Sequence, residues 1–303
     1  MPRSSPRSAA AMAEVPAAPA IADAPTAATV PTVLTVREAL AQSDLSPVDA
    51  NALLAFVTGR NRVFFIAHAG EALPQQQIKQ FLSLARRRRD GEPVAYLIGR
   101  REFYGLDVAV TPDVLIPRPE TETLVDAALA HLAADAHARV LDLGTGSGAI
   151  ALAIAHARPS ADVLGVDVAD AALDIARGNA TRLAIANVRF AHSSWYDALG
   201  DARFDVVVAN PPYIAENDPH LAEGDLRHEP RGALTPGGDG LGALRTIVAG
   251  ARSHVVPGGV LAVEHGFDQA DAVQALFADA CAVDLRRRRD LAGHWRVAEG
   301  RWS

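Results

Sequence analysis

The chain after Thr121 alternates between short apolar runs and segments of helical periodicity, and this alternation limits the fold more than any other feature. Seven strands are expected, at 139–143, 163–167, 188–191, 204–209, 259–264, 282–285 and 294–298. Strands that alternate with helices form a mostly parallel sheet with helices on both faces. The pattern therefore predicts an α/β, Rossmann-like fold around a seven-stranded sheet.

Two further regions precede this alternation. Apolar residues recur at helical spacing over residues 35–89, and Ser46-Pro47 is typical of a helix start. Val94, Tyr96 and Ile98 then alternate with other residues, which predicts the first strand of a β-hairpin. We therefore expect a disordered tail over 1–31, a helical domain over 32–90, a hairpin linker over 91–117 and the α/β domain over 118–303.

Composition narrows the classes of function. The formal net charge of -7 provides no overall basic field that would attract nucleic acid or anionic lipid. No run approaches the roughly 18 to 20 apolar residues that a membrane span needs. The single cysteine, Cys281, lies between alanines and is expected to be a small core residue in a reducing compartment. We therefore expect a cytoplasmic protein without stable nucleic-acid binding or membrane attachment.

A glycine-rich turn follows the first predicted strand of the sheet. Glycine is needed where the backbone turns sharply and comes close to a ligand. Asp167 ends the next strand, where a carboxylate can bond the hydroxyls of a ribose. A nucleoside-bearing cofactor is therefore expected here. Its predicted contacts are Gly144, Thr145, Gly146, Ser147, Gly148 and Asp167.

The turn alone leaves the identity of the cofactor open. Gly144, Gly146 and Ala149 also satisfy the looser dinucleotide fingerprint with alanine in third place, which is compatible with a nicotinamide enzyme. Asp142 favours S-adenosylmethionine. An acid within the turn repels a pyrophosphate but suits a ligand with a sulfonium and an amino group.

A second motif, Asn210-Pro211-Pro212-Tyr213, closes the apolar strand at 204–209. The Asn210 side-chain oxygen and the Pro211 carbonyl can accept both N–H bonds of a planar amino group, and the prolines stiffen the loop. Tyr213 can pack against the flat substrate group. Together with the glycine turn, the motif predicts methyl transfer from S-adenosylmethionine to an amide-like nitrogen, with Asn210, Pro211, Pro212 and Tyr213 as catalytic residues.

With these motifs the chain resembles the peptide chain release factor glutamine methyltransferases, from about residue 35 to the C-terminus. The resemblance rests on the segments 91–99, 103–105, 116–122, 141–151, 210–214 and 229–230. Arg118-Pro119-Glu120-Thr121-Glu122 is the most specific part, because many amino methyltransferases share Asn-Pro-Pro-Tyr without this lead-in.

The resemblance implies a class I methyltransferase domain that uses S-adenosylmethionine. The acceptor would be the glutamine in the Gly-Gly-Gln motif of peptide chain release factors, which the helical domain would recognise. Trp195 would lie along the adenine, and Asn210 would also lie near the methyl donor. One position departs from the family, which usually has an acid before Trp195. Here Ser194 occupies that position, and a hydroxyl is a weaker acceptor than a carboxylate.

Two other functions stay open at this point. The same amino-group clamp could act on a nucleic-acid base, although only two arginine clusters, at 86–89 and 286–289, could form a basic surface. The fold could also serve as a non-catalytic binding module. The histidines have no metal-ligand spacing, and no metal is expected.

Overall fold

The computed structural model describes residues 33–135 and 137–303, so the tail expected over residues 1–31 lies outside the described residues. A helical region comes first. In chain order it contains β1 (Leu34–Thr35), α1 (Val36–Gln42), α2 (Pro47–Thr58), α3 (Arg62–Ala67), β2 (Ala72–Leu73), α4 (Gln75–Arg89) and α5 (Val94–Ile98). β1 and β2 pair antiparallel. Leu53, Leu54, Phe65 and Phe81 form the centre of this region's core.

Local sequence explains where these helices begin and end. Thr35 and Glu38 form a capping box at the start of α1. Ser46 accepts a hydrogen bond from the Asp49 amide, and Pro47 occupies the first helical position of α2. Gly59 ends α2 in the left-handed conformation with a φ of 67°. The predicted helix start at Ser46-Pro47 is confirmed.

The segment that follows differs in part from the prediction. β3 (Arg100–Phe103) and β4 (Leu106–Ala109) form the expected hairpin. The strand predicted from Val94, Tyr96 and Ile98 is wrong, because these residues belong to α5. Val94 and Ile98 pack with the buried Leu97 on the core of the helical region, whereas Tyr96 faces a second cluster. A short helix with apolar residues on both sides therefore has the same alternating sequence pattern as a strand.

The α/β part contains the seven-stranded sheet. Its helices and strands are α6 (Glu122–Leu129), β5 (Arg139–Leu143), α7 (Ala149–Ala157), β6 (Asp162–Asp167), α8 (Asp170–Arg182), β7 (Val188–His192), β8 (Phe204–Ala209), α9 (Arg231–Leu234), α10 (Gly242–His254), β9 (Val255–Glu264), α11 (Ala270–Asp279), β10 (Val283–Arg289) and β11 (Trp295–Arg301). Three short 3₁₀ helices lie at Pro119–Thr121, Pro219–Ala222 and Leu226–His228. The strand order is β10-β11-β9-β8-β5-β6-β7.

The five strands from β9 to β7 run parallel, and β11 and β10 are antiparallel additions at one edge. Alternate side chains of β5 enter cores on opposite faces of the sheet. Val140 packs in a core with α6 and α7, while Leu141 and Leu143 pack in a core with α10 and α11. The predicted α/β class, with a mostly parallel sheet covered on both faces, is confirmed.

Arg88 on α4 joins the helical region to the α/β part. Its Nε donates to Asp49 Oδ2 at 2.9 Å, and its Nη1 donates to Asp225 Oδ1 at 2.7 Å. Asp225 lies directly before the 3₁₀ helix Leu226–His228. One guanidinium therefore ties a helix of the first region to a loop of the second.

Cys281 does not lie in the core, contrary to the prediction from its apolar neighbours. It is exposed and has a left-handed φ of 56° in the turn after α11. The Cys281 amide donates to the Ala278 carbonyl, which closes that turn. The turn at the end of α11 determines that the Cys281 side chain is exposed, and the small neighbouring alanines do not predict its burial.

Candidate active site

The sheet brings both sequence motifs to one edge. β5 lies between β6 and β8, so the chain leaves β5 in one direction for β6 and reaches β8 on its other side. The glycine turn follows β5, Asp167 ends β6, and Asn210 follows β8. Ligands of open α/β sheets bind at such a reversal, beyond the carboxyl ends of the strands.

A cavity of about 300 Å³ opens at this edge and is called the larger cavity here. Its walls come from the segments that follow β5, β6, β7 and β8, from the start of α9, and from the segment before the 3₁₀ helix Pro119–Thr121. The lining residues are Asp113, Val114, Leu115, Gly144, Gly146, Asp167, Val168, Ala169, Ala172, Ser193, Ser194, Trp195, Asn210, Pro212, Pro230, Gly232 and Ala233.

The glycine turn forms one wall of the larger cavity. Gly144 and Gly146 line it and have left-handed φ values of 72° and 54°. A Cβ at Gly144 would be in ordinary van der Waals contact with the Trp195 ring at 3.4 Å, so it is the left-handed backbone that favours glycine here. Gly148, with a φ of 83°, precedes α7 as its N-cap.

Asp167 fixes the conformation of the turn while it faces the cavity. Its Oδ2 accepts a hydrogen bond from the Gly146 amide at 2.8 Å, and its Oδ1 accepts one from the Ala169 amide at 2.9 Å. Each carboxylate oxygen keeps a further lone pair for a ligand hydroxyl. The predicted cofactor carboxylate therefore lies at the cavity and also holds the glycine turn in place.

Three predicted cofactor residues lie beneath the cavity and are absent from its lining residues in the described ranges. Thr145 is buried, and its hydroxyl donates to Asp142 Oδ2 at 2.6 Å. The Ser147 carbonyl accepts a hydrogen bond from Asn179 Nδ2 at 2.9 Å. Gly148 begins α7. Their arrangement supports the turn from below, and a direct contact with a cofactor stays a prediction for Thr145, Ser147 and Gly148.

Asp142 is fully buried below the turn and is not among the lining residues given above. Burial raises the pKa of Asp142 to about 7, and the hydrogen bond from Thr145 opposes this shift. The sequence predicted that Asp142 lies within the turn and acts on the ligand. This position is wrong, because the Asp142 carboxyl accepts a hydrogen bond from Thr145 and does not line the cavity.

Trp195 lines the larger cavity, and its backbone is left-handed with a φ of 51°. The buried Ser193 stabilises this conformation, because its hydroxyl donates to the Trp195 carbonyl at 2.9 Å and accepts from the Ala198 amide at 3.1 Å. Ser194 also lines the cavity and is exposed. Both residues therefore line the cavity, and a contact of Trp195 with the adenine stays a prediction.

A smaller cavity of about 60 Å³ adjoins the Asn-Pro-Pro-Tyr motif. Its lining residues are Leu115, Arg118, Asn210, Pro211, Tyr213, Ile214, Leu226, Ala233 and Leu234. Asn210, Leu115 and Ala233 line both cavities. The motif is divided between them, because Pro212 lines the larger cavity, whereas Pro211 and Tyr213 line the smaller one. Asn210 therefore stands in the wall that separates the two spaces.

The side chain of Asn210 is oriented by a residue that the sequence did not single out. Its Nδ2 donates to the Thr121 hydroxyl at 3.1 Å, and Thr121 is buried. With the amide nitrogen bound there, Asn210 Oδ1 is the atom left to accept a hydrogen bond from a ligand. The Arg-Pro-Glu-Thr-Glu segment contains Thr121, and that segment was the available signal.

Tyr213 is held at both ends. Its hydroxyl donates to Glu264 Oε1 at 3.2 Å, and its carbonyl accepts from Gln269 Nε2 at 2.8 Å. Burial raises the pKa of Tyr213, so the phenol stays protonated as a donor. Glu264 was also missed from the sequence, where the signal was a charged residue that closes the apolar strand β9.

Glu229 holds the segment that forms the wall between the cavities. Its fully buried carboxylate forms an ion pair with Arg118 and accepts a hydrogen bond from the Ile116 amide at 3.0 Å. Burial raises the pKa of Glu229, and the Arg118 guanidinium opposes this shift. Glu229 therefore anchors the chain at Ile116 and Arg118, directly after Leu115.

Residues 33–135 and 137–303 contain neither a metal-binding cluster nor a membrane-spanning helix. Histidine, cysteine and acidic side chains within residues 33–135 and 137–303 nowhere gather in threes in an arrangement suited to a metal ion. Over the same residues, every helix is too short or too polar to cross a membrane.

Comparison with known proteins identifies relatives that match most of this chain. Residues 122–242 match the family described as Methyltransferase small domain, and residues 34–99 match the PrmC N-terminal domain. A release factor glutamine methyltransferase of Burkholderia pseudomallei is 53% identical over 273 residues, which cover 88% of this chain and 96% of that protein. The proteins of the same name from Bordetella pertussis and Escherichia coli are 49% and 44% identical, over 88% of this chain and 98% and 97% of theirs.

Proposed function

This chain belongs to the family of release factor glutamine methyltransferases, and we propose that it methylates a glutamine of peptide chain release factors. The acceptor is the side-chain amide nitrogen of the glutamine in the Gly-Gly-Gln motif. We also infer a cytoplasmic location, since release factors act on the ribosome there.

The residues around the larger cavity fit S-adenosylmethionine. A volume of about 300 Å³ is at the lower end of the range for small-molecule sites. Asp167 provides a carboxylate for ribose hydroxyls, Trp195 a flat ring for adenine, and Gly144 and Gly146 a wall without side chains. When bound, the cofactor supplies an electrophilic methyl group on a sulfonium.

The observation that carries the proposal is the position of Asn210 in the wall shared by the two cavities. A carboxamide nitrogen is a poor nucleophile, because its lone pair is delocalised into the carbonyl group. Asn210 Oδ1 and the Pro211 carbonyl can accept its two N–H bonds and stabilise the positive charge that develops there. Since Thr121 holds the Asn210 amide, this acceptor is oriented before the substrate arrives.

The smaller cavity suits the glutamine side chain. Tyr213, Leu115 and Ile214 give it apolar walls, while Asn210 and Arg118 supply polar atoms at its edge. A flat carboxamide on a short alkyl stem needs both kinds of surface.

The helical region is proposed to contact the release factor. Val48, Val63 and Ile66 are 77%, 72% and 70% exposed on α2 and α3. Val63 and Ile66 are three residues apart and therefore share a helix face. Apolar side chains with such high exposure are suited to contact with a protein partner. Arg88 links this region to the loop near the smaller cavity.

Methylation of a nucleic-acid base is not favoured. Four of the eight arginines at 86–89 and 286–289 form ion pairs within the protein. Arg87 pairs with Glu92, Arg88 with Asp49 and Asp225, Arg287 with Asp271, and Arg288 with Glu299. Charges neutralised in this way contribute little to binding phosphates. The names of the relatives, which specify a methyltransferase, likewise do not favour a non-catalytic binding module.

Mass spectrometry of a purified release factor tests the proposal. After incubation with this protein and S-adenosylmethionine, we expect the peptide with the Gly-Gly-Gln motif to gain the mass of one CH₂ unit on the glutamine, because the methyl group replaces one amide hydrogen, which leaves as a proton. The control is a release factor with alanine in place of that glutamine. Equal labelling of both, or labelling of RNA instead, would contradict the proposal.

A further inference from the structure

We propose that Asn179 is a positioning residue for S-adenosylmethionine. Its side chain ties the glycine turn to the end of the β3–β4 hairpin, and so fixes two walls of the larger cavity relative to each other. The inference rests on the proposed function, of which it concerns the cofactor alone, and extends the site to a residue outside the lining residues given above.

Asn179 on α8 is fully buried, and each of its side-chain polar atoms is bound. Oδ1 accepts from the Ala109 amide at 2.8 Å and from Arg182 Nη2 at 3.0 Å. Nδ2 donates to the Ala109 carbonyl at 3.0 Å and to the Ser147 carbonyl at 2.9 Å. These four bonds use both protons and both oxygen lone pairs of a carboxamide. A buried polar group satisfied in this way holds its partners rigidly.

The bonding pattern selects asparagine for this position. The Ala109 amide needs an acceptor, whereas the carbonyls of Ala109 and Ser147 need donors. An ionised aspartate of the same shape offers acceptors alone, and an apolar side chain offers neither. A carboxamide is therefore the group that binds the hairpin and the glycine turn at the same time.

On the side of the turn, Asn179 complements Asp167. The Asp167 carboxylate binds the Gly146 amide, and Asn179 binds the carbonyl of the next residue, Ser147. Because a peptide group is planar, the direction of this carbonyl also sets the direction of the Gly148 N–H. Two side chains from different elements therefore set the backbone conformation of the glycine turn.

On the side of the hairpin, Ala109 ends β4, and the chain then leads into a second wall of the cavity. Both backbone groups of Ala109 are bound by Asn179, as the backbone of a neighbouring strand would bind them. Val114 lines the larger cavity, and its carbonyl accepts from the Tyr96 hydroxyl at 2.6 Å. Val114 also packs in one small core with Ala172 of α8. The hairpin, the wall at Val114 and the glycine turn are therefore held by the same helix.

This arrangement has a consequence for cofactor binding. A ligand that contacts both walls binds with full affinity only when their spacing is correct. Without the Asn179 side chain, the turn and the hairpin can shift relative to each other, so a smaller fraction of the protein has the binding conformation before the cofactor arrives. Such a loss of preorganisation raises the dissociation constant without removal of a direct contact.

The decisive variant is Asn179→Ala in the full-length chain. Loss of one or two hydrogen bonds that hold the site should raise the dissociation constant for S-adenosylmethionine by about 5- to 30-fold. Calorimetric titration measures this at a temperature at which circular dichroism shows a folded variant. The KM for S-adenosylmethionine should rise by a similar factor while kcat changes less, because the bonds of Asn179 lead to the walls of the cofactor cavity.

Asn187→Ala is the matched control. The Asn187 Nδ2 donates to the carbonyls of Ala155, Arg158 and Ala161 at 3.0 to 3.1 Å. These contacts lie before β6 and β7, at the amino ends of the strands, whereas the larger cavity lies at their carboxyl ends. This variant should lower the melting temperature and keep the wild-type cofactor affinity. A merely structural asparagine at position 179 would behave in the same way.

Arg182→Ala decides the matter if Asn179→Ala does not fold. The Arg182 side chain is 43% exposed, and its Nη2 donates to the Asp107 carbonyl as well as to Asn179 Oδ1. Its removal loosens the hairpin without a cavity in the core, and should raise the dissociation constant for the cofactor by about 2- to 5-fold. Arg189→Ala removes an exposed ion pair with Asp162 near the starts of β6 and β7, and should leave that constant unchanged.

Wild-type affinity in a folded Asn179→Ala variant would overturn the inference, and so would an equal loss of affinity in Asn187→Ala. If Asn179→Ala does not fold, wild-type affinity in Arg182→Ala overturns it. Failure of the proposed function looks different, because the titrations contain no release factor. It would appear as a wild-type protein that binds the cofactor but transfers no methyl group to the motif glutamine.

Discussion

The larger and the smaller cavity are neighbours, yet they are built in different ways. The glycine turn of the larger cavity is fixed by a residue near in sequence, since the Asp167 carboxylate accepts from amides 21 and 2 residues away. The wall of the smaller cavity is fixed by contacts between distant residues, since Asn210 is bound to Thr121 89 residues away, and Glu229 to the Ile116 amide 113 residues away. A turn with several backbone contacts to a ligand should lose affinity gradually on substitution. A side chain oriented by one distant contact should lose its function when either partner is replaced.

The change with the largest expected effect is Asn210→Ala, at the shared wall. Loss of one preorganised contact to a developing charge costs about 100- to 1,000-fold in rate, so single-turnover methylation of a release factor should fall by that amount. Cofactor affinity should change much less, because the contact strengthens mainly as the methyl group is transferred.

Asn210→Asp sharpens this test. Its carboxylate can still accept an N–H bond, so it should be slowed less than Asn210→Ala. An alanine variant with bound cofactor and the wild-type rate would show that the amide clamp is not what accelerates transfer.

The next effect concerns the larger cavity. Asp167→Ala should weaken S-adenosylmethionine binding by about 1 to 3 kcal/mol, because it removes a charged acceptor for hydroxyls and frees the Gly146 amide. Calorimetric titration measures this. The control is Asp170→Ala, whose exposed acid lies at the same edge and bonds His192. Equal affinity in wild type and Asp167→Ala would remove Asp167 from the binding site.

A smaller effect is expected on the helical region. Replacing Val63 and Ile66 together by serine should raise the KM for the release factor by about 5- to 30-fold, from the apolar area no longer buried. Cofactor affinity should stay the same. Val283→Ser, on the edge strand β10, removes a comparable exposed side chain far from the site and should change neither value. An unchanged KM in the double variant would locate the docking surface elsewhere.

The smallest expected effect is a gain. Ser194→Asp supplies the acid that the family usually has before Trp195, at a position that lines the larger cavity. A charged acceptor for the adenine amino group should tighten cofactor binding by about 0.5 to 1 kcal/mol. Thermal shift across a cofactor titration can detect the difference. Weaker binding than wild type would mean that the adenine lies away from position 194.

The same contrast explains what the sequence could predict. The glycine turn, Asp167 and Asn210 were found because each follows a strand of a regular pattern and carries its own chemistry. Thr121 and Glu264 were missed because their importance lies in contacts with residues far along the chain. Thr145 and Ser147 lie in the turn that was found, but sequence spacing does not tell which face of a turn meets the cavity.

The helix α5 was missed for a related reason. Its five residues separate two small cores, so apolar side chains on opposite sides resemble a strand. The boundaries proposed at 32–90, 91–117 and 118–303 remain expectations, because α5 shares its core with the region before it and leads into the hairpin after it.

Because Asn210, Leu115 and Ala233 each line both cavities, the shapes of the two halves of the site depend on each other. A substitution that enlarges one space for a different acceptor also reshapes the space beside it. A change of acceptor would therefore need substitutions both at these three positions and at the residues that hold them, such as Thr121 and Glu229. A new acceptor is accommodated most easily when it fits the smaller cavity without substitutions at these three positions.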